Sequence, residues 1–291
     1  MNILETLGQS SFIFYISVGV LGLLIGSFLN VVVYRLPIML RRNWRKECYN
    51  FLEQKNTDTD SSDILSLSQP RSRCPSCQHA ISAVENIPVI SYLFLKGRCK
   101  SCHSPISPRY PIVELATAGL SVLIALHFGV TFQTIAALLF TWALISLTLI
   151  DFDTQLLPDS ICLPLLWFAL LISLFDTFTD TQSAIIGALA GYLVLWCVFW
   201  AFKIITGKEG MGYGDFKLLA AIGAFLGWQM LPLVIILSAF VGATIGVASI
   251  LLSGRDKNTP MPFGPYLSIA AFIALIWGNE INSSYLQLAG L

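Results

Sequence analysis

Long apolar runs separated by short polar breaks dominate this chain, and their lengths set its architecture. Residues 12–33 form one run of the length that crosses hydrocarbon as a helix, about 20 residues. Residues 111–150 are almost continuously apolar, with a break near His127, Gly129 and Gln133, and read as two spans joined by a tight turn. Two more follow at 159–175 and 183–205, on either side of the acidic patch Asp176 to Asp180. The run 216–252 is too long for one helix, and Gln229 and Pro232 near its middle mark a hairpin between two shorter spans. A last helix is expected over about 263–286. The pattern predicts an all-α polytopic membrane protein of about eight helices. It divides the chain into a first transmembrane helix at 1–33, a polar loop at 34–110 and a seven-helix membrane domain at 111–291.

Composition agrees with this pattern. The chain of 291 residues is 55% hydrophobic and 12% charged, with a mean hydropathy of +0.73, which excludes a single soluble core with a solvated surface. No nucleic-acid partner is expected. Residues 1–10 carry no basic charge and the run that follows is span-length, so it reads as a retained helix and not as a cleaved signal peptide. The zero net charge hides an asymmetry. Of the 17 basic residues, Arg35, Arg41, Arg42, Arg45, Lys46, Lys55, Arg71, Arg73, Lys96, Arg98, Lys100 and Arg109 all fall between 34 and 110. They outnumber the acids there (Glu47, Glu53, Asp58, Asp60, Asp63, Glu85), so the positive-inside bias turns the loop to the cytoplasm. Parity then puts the breaks at about 151–158, 203–215 and 253–262 on the same side, where Lys203, Lys208, Arg255 and Lys257 lie, and puts Asp176 to Asp180 outside.

Two acids, Asp151 and Asp215, fall at that cytoplasmic edge, at the end of the third span and the start of the sixth. An ionisable residue near hydrocarbon is costly, so each is a functional candidate. Two carboxylates held close share one proton, and the ionised member can take a proton from water while the neutral one polarises a carbonyl. That is the chemistry of peptide hydrolysis without a covalent intermediate. The glycines of Gly210-Met-Gly212-Tyr213-Gly214-Asp215 suit close approach of an extended substrate. Taken alone, Asp215 also reads as a helix N-cap, as do Asp159 and Ser160 after Pro158, and Asp153 and Asp159 read as solvated loop acids. Which member of the pair acts as base is open at this point.

Four of the seven cysteines form Cys74-Pro-Ser-Cys77 and Cys99-Lys-Ser-Cys102, two knuckles with 21 residues between them. The knuckles repeat one another, through Cys-Pro-Ser-Cys-Gln-His-Ala-Ile-Ser and Cys-Lys-Ser-Cys-His-Ser-Pro-Ile-Ser. Four thiolates in a reducing cytoplasm suit tetrahedral Zn²⁺ in a ribbon, with His79 and His103 as substitute ligands. A closed four-cysteine site leaves no position for water, so its role is to fold the loop. Cys48, Cys162 and Cys197 have no pattern around them, and Lys55 to Gln69 reads as a flexible polar insertion.

The stretches Ile150-Asp151-Phe-Asp153-Thr-Gln-Leu-Leu-Pro158-Asp159 and Gly212-Tyr213-Gly214-Asp215-Phe-Lys217-Leu-Leu, 64 residues apart at their aspartates, resemble the two aspartate motifs of the bacterial type IV prepilin peptidases, intramembrane aspartyl enzymes similar in their site to presenilin. Gly26-Ser27-Phe28-Leu29-Asn30-Val31-Val-Val-Tyr34-Arg35-Leu36-Pro37 resembles the family's first helix and its exit, so the resemblance covers nearly the whole chain. It implies that Asp151 and Asp215 are the catalytic pair and that Asp153 and Asp159 are not. It implies a bacterial inner-membrane enzyme whose substrates are type IV prepilins and pseudopilin precursors. It also implies a second activity, methylation of the new N-terminal amine from S-adenosylmethionine. The chain has no glycine fingerprint after a strand, so its residues define no methyl-donor site. Gly97 and Glu114 are candidates, and Glu114 reads equally as a partner for a cation such as Arg109. A basic loop would not attract a basic leader, so substrate recognition is expected at the membrane site, with the loop serving anionic lipid or methylation. Two competing readings remain: a peptidase that does not methylate, and a transporter or assembly scaffold in which the acids relay protons. Oligomeric state is not fixed by the sequence.

Overall fold

With no water in hydrocarbon to satisfy the backbone, the apolar runs fold as helices, whose N–H and C=O groups pair internally. The fold is taken from a computed structural model in which residues 11–52, 65–82, 84–208, 210–253 and 261–289 are described. Lys55 to Ile64 of the polar insertion, and Arg255 and Lys257, lie outside the described residues. The chain divides into two compact units, Met1–Val130 and Thr131–Leu291.

In the first unit, α1 spans Ser11–Phe51, α2 is the short Ile90–Phe94, and α3, Arg109–Phe128, packs along α1. Helix α1 does not stop where its apolar run stops. It continues through Arg41, Arg42, Arg45 and Lys46, because Arg and Lys are good helix formers and a helix leaving the bilayer needs no apolar face. A Cβ added at Gly22 would lie 2.7 Å from the Ala118 Cα, and one at Gly26 would lie 2.7 Å from the Glu114 Cα. The two backbones therefore meet along a glycine seam, the kind of contact that associates helices in lipid. Arg35, buried at the far end of that seam, donates to the carbonyls of Ser66, Leu67 and Pro70, tying the start of the cysteine region to α1.

In the second unit, α4 spans Phe132–Thr154, α5 Asp159–Ser173, α6 Thr181–Thr206, α7 Tyr213–Leu226, α8 Leu231–Ser253 and α9 Gly264–Ala289. Helix α7 is the centre: nearly every residue from Asp215 to Leu226 is buried, and α5, α6 and α9 pack on it. A helix apolar on all sides has to be covered on all sides. Phe140 of α4 stacks on Phe225 at 4.0 Å between ring centroids. A Cβ on Gly187 of α6 would run into the Gly223 carbonyl, a Cβ on Gly223 into that of Gly187, and a Cβ on Gly191 would lie 2.5 Å from the Leu219 oxygen. The long run at 216–252 breaks at Gly227, with φ +86, and the turn Trp228–Met230.

The expected class holds: the protein is all-α and polytopic. Among the described residues, five helices are long and apolar enough to cross a membrane by length and composition: 12–51, 109–128, 132–154, 181–206 and 228–248. At 15 and 14 residues, α5 and α7 are shorter than a full span. The 14 residues of α7 rise only about 21 Å.

Candidate active site and metal centre

Asp151 and Asp215 both lie in the second unit, on α4 and α7. The apolar pattern put Asp151 at a helix end, but α4 runs on to Thr154 and closes on Gln155, whose left-handed φ of 54° lets its N–H reach the Asp151 carbonyl at 2.8 Å. Asp151 is thus held in the last helical turn. The capping expectations do not hold. The N-cap of α7 is Gly212, so Asp215 stands three positions beyond it, and no side chain caps α5, which starts after Pro158. Asp159 is instead exposed and paired with Lys217, whose ammonium reaches both carboxylate oxygens at 2.7 and 2.8 Å. Asp153 is exposed.

The two candidate carboxyls are equally withdrawn, Asp151 5% and Asp215 6% exposed, and they lie within electrostatic reach of each other. Their surroundings differ. Asp151 Oδ2 accepts the backbone N–H of Gly264, the first residue of α9, at 3.0 Å. A Cβ at position 264 would lie 2.7 Å from that oxygen and 3.2 Å from Leu157 Cδ2. Asp215 Oδ1 is buried and meets no hydrogen-bonding partner. Leu157 also covers Gly214, where a Cβ would lie 2.6 Å from the Leu157 Cβ, so one side chain in the α4–α5 connection packs against the glycine beside each acid. Cys162 of α5, fully buried, sits within electrostatic reach of Asp151, Asp159, Asp215 and Lys217. Two buried carboxyls within electrostatic reach of each other can hold one proton between them. Gly264 and Leu157 were missed by the sequence reading, although Pro262-Phe-Gly264-Pro265 at the head of the last apolar run was a visible signal.

In the first unit the two knuckles adopt one conformation twice. The N–H of Cys74 bonds to the carbonyl of His79 and that of Cys99 to Ser104, both at 2.9 Å. The N–H groups of Gln78 and His103 return to Cys74 and Cys99, also at 2.9 Å, and both residues are left-handed, with φ of 59° and 57°. Their four sulfurs lie within 4.8 Å of one another. The Cys74–Cys102 and Cys77–Cys99 separations of 3.8 and 4.0 Å match the edge of about 3.8 Å that follows from four metal–sulfur bonds of about 2.3 Å in a tetrahedron. The donor set therefore fits a metal ion. The Cys77 N–H and the Ser104 hydroxyl hold the Cys74 thiol down to about 6, toward the thiolate a metal needs. His79 points to Glu85 at 3.3 Å, and Lys100 of the second knuckle reaches the same carboxylate at 3.5 Å. The Ser82 N–H, His79 and Lys100 together hold Glu85 down to about 2.

Glu114 is buried on α3, where it accepts the Val89 N–H at 2.8 Å and a bond from the Ser27 hydroxyl. Its partners are thus an amide and a hydroxyl where a cation such as Arg109 was expected. Gly97 is left-handed, with φ of +68°, and a Cβ there would lie 2.9 Å from the Tyr92 hydroxyl.

Residues 20–128 match the bacterial peptidase A24 N-terminal domain, and residues 138–247 match the type IV leader peptidase family. The chain is 52% identical to the prepilin leader peptidase/N-methyltransferase of Stutzerimonas stutzeri over 291 residues, all of both chains. It is 53% identical to the protein of the same name from Pseudomonas aeruginosa over 290 residues, covering 100% of this chain and 99% of the other. The Aeromonas hydrophila protein of that name is 53% identical over 98% of each chain. No solved structure matches. Identity of this order over the full length means that the chain belongs to the type IV leader peptidase family.

Proposed function

We propose that this protein is a membrane aspartyl endopeptidase that removes the leader of type IV prepilins and pilin-like subunits and then N-methylates the exposed residue, with Asp151 and Asp215 as its catalytic pair. The observation that carries the peptidase reading is the pair of buried carboxyls, 5% and 6% exposed and within electrostatic reach of each other. One carboxylate takes a proton from water, and the resulting hydroxide adds to the scissile carbonyl. The protonated partner hydrogen-bonds the carbonyl oxygen, where negative charge develops. The relatives' names support both activities. The basic residues of 34–110 support a cytoplasmic face for the pair and the loop, in an inner membrane, with 34–110 as a module inserted between the first span and the seven-helix domain.

For the cysteine cluster we assign zinc, held by Cys74, Cys77, Cys99 and Cys102, because four thiolates in a tetrahedron are its usual structural site. Bound there, zinc would join the two knuckles and leave no position for a reacting water. Apparent binding energies of such sites are on the order of 10 kcal/mol, so metal removal should unfold the ribbon. Cys99→Ser or a strong chelator is expected to expose 65–108 to limited proteolysis while the second unit stays resistant. A ribbon equally resistant without metal would contradict the assignment.

S-adenosylmethionine would supply the methyl group. Among the described residues of the first unit, the buried carboxylate Glu114 is already engaged by Val89 and Ser27. The reading is tested by incubating detergent-purified protein with a prepilin, with and without S-adenosylmethionine, and weighing the products. The expected outcome is a leaderless product in both cases, heavier by one methylene with the donor. An unmethylated product would reduce the reading to a peptidase alone, and intact prepilin would overturn it.

A further inference from the structure

We propose that the backbone N–H of Gly264, the first residue of α9, fixes Asp151 as the ionised, water-activating member of the pair and leaves Asp215 as the proton-bearing member. This inference rests on the aspartyl reading above and assigns what that reading leaves open.

Solvent exposure does not separate the two carboxyls, at 5% and 6%. Helix polarity does not favour Asp151, because Asp215 lies in the first turn of α7, whereas Asp151 faces the first turn of α9 but sits in the last turn of its own helix, whose negative end opposes charge. The hydrogen bonds do separate them. A donor that reaches a carboxylate favours its charged form. Asp151 Oδ2 receives one at 3.0 Å, whereas Asp215 has only the Gly212 backbone beside its carboxyl and its Oδ1 is buried with no partner.

The start of α9 is arranged so that this donor is available. Pro265 has no N–H, and the N–H groups of Tyr266 and Leu267 both turn back to the Phe263 carbonyl, at 3.1 and 3.2 Å. Of the amides of residues 264–267, Gly264 supplies the one directed at Asp151. Position 264 has no positive φ, so its backbone would accept any residue. What excludes a side chain is contact, because a Cβ would stand 2.7 Å from the very oxygen that the N–H holds. Glycine is needed here so that amide and carboxylate can meet.

The assignment gives each proton a path. The Asp151 carboxylate removes a proton from water, the hydroxide oxygen bonds to the carbonyl carbon, and the Asp215 proton passes to the carbonyl oxygen, giving a gem-diol. When the C–N bond breaks, the proton on Asp151 goes to the leaving amine and one diol proton returns to Asp215. The peptide and one water become an acid and an amine, and both carboxyls regain their starting states. Gly264 touches no substrate in this scheme. It is a positioning residue acting through Asp151.

Among the described residues, Asp215 on α7 is the ionisable group in electrostatic contact with Asp151, and Cys162 of α5 lies within reach of both and of the Lys217–Asp159 pair. Removing the Gly264 N–H should therefore be read at the acid limb of the kcat/KM profile for leader cleavage. The cleanest change replaces Gly264 by glycolic acid through nonsense suppression, which turns the N–H into an oxygen and adds no atom. Loss of the donor disfavours ionised Asp151, so the acid limb should move to higher pH and the maximal rate should fall about tenfold or more. Gly264→Ala keeps the N–H but pushes a methyl onto the carboxylate, and about a 100-fold loss is expected at every pH, in line with the sensitivity of catalysis to small misplacements. If the alanine variant fails to fold, the ester variant still decides. An ester variant with wild-type rate and an unmoved acid limb would overturn the inference. The parent reading stands or falls separately, on whether Asp151→Asn and Asp215→Asn remove cleavage.

Discussion

Asp151→Asn and Asp215→Asn should each lower leader cleavage by about 10³-fold or more and leave the protein folded. Positioned acid–base groups contribute about 10²–10⁴ each, and here each acid depends on the other, so losing either one removes both functions. Asparagine has nearly the shape of aspartate but can neither take a proton from water nor give one to a carbonyl. The same substitutions remove an ionisable group from a position at most 6% exposed. Burying a carboxyl costs free energy, so thermal stability should hold or rise, which separates this result from unfolding. Asp153→Asn is the control: that acid is exposed, and near-wild-type cleavage is expected.

Gly223→Val and Gly187→Leu should be the most damaging changes away from the acids. Each places side-chain carbon against the carbonyl of the opposing glycine, with no flexible side chain to yield. Overpacking against side chains costs about 1–3 kcal/mol, and contact against backbone should exceed the top of that range. The effect carries to the chemistry, because Asp215 lies on the same short helix as Gly223, about 12 Å along it. A shift of α7 that relieves the clash would move Asp215, so the folded fraction should also cleave poorly. Gly119→Ala is the comparison, since a Cβ there meets nothing within 4 Å, and it should be neutral or slightly stabilising, as a helical glycine replaced by alanine generally is. Thermal unfolding in detergent checks both.

The large features could be read from the sequence because they are periodic or repeated. Runs of apolar residues fix helices in lipid whatever their neighbours are, and the break at Gly227–Met230 fell where a run too long for one span had to turn. The duplicated knuckles carry over as duplicated backbone bonds, Cys74 to His79 and Cys99 to Ser104, since local sequence dictates a local turn. What the sequence did not disclose is set by distant contacts. Gly264 is 113 residues from Asp151, and only the packing of α9 against α4 brings its amide to the carboxylate. Glu114 was matched to Arg109 because charge suggests charge, but a buried acid is satisfied as well by the Val89 amide and the Ser27 hydroxyl. Asp215 was offered as a cap because an acid near a helix start suits that role. Gly212 is the cap three residues earlier, which leaves the acid inside the first turn.

Central to this account is that the carboxyls of Asp151 and Asp215 act as one unit on one water. The most direct test is a double-mutant cycle on leader cleavage, with kcat/KM taken from the mass of the product for Asp151→Asn, Asp215→Asn and the two together. Groups that share one function lose it once, so the double variant is expected to be no slower than the slower single variant. Losses that multiply, or either single variant retaining near-wild-type cleavage, would contradict it.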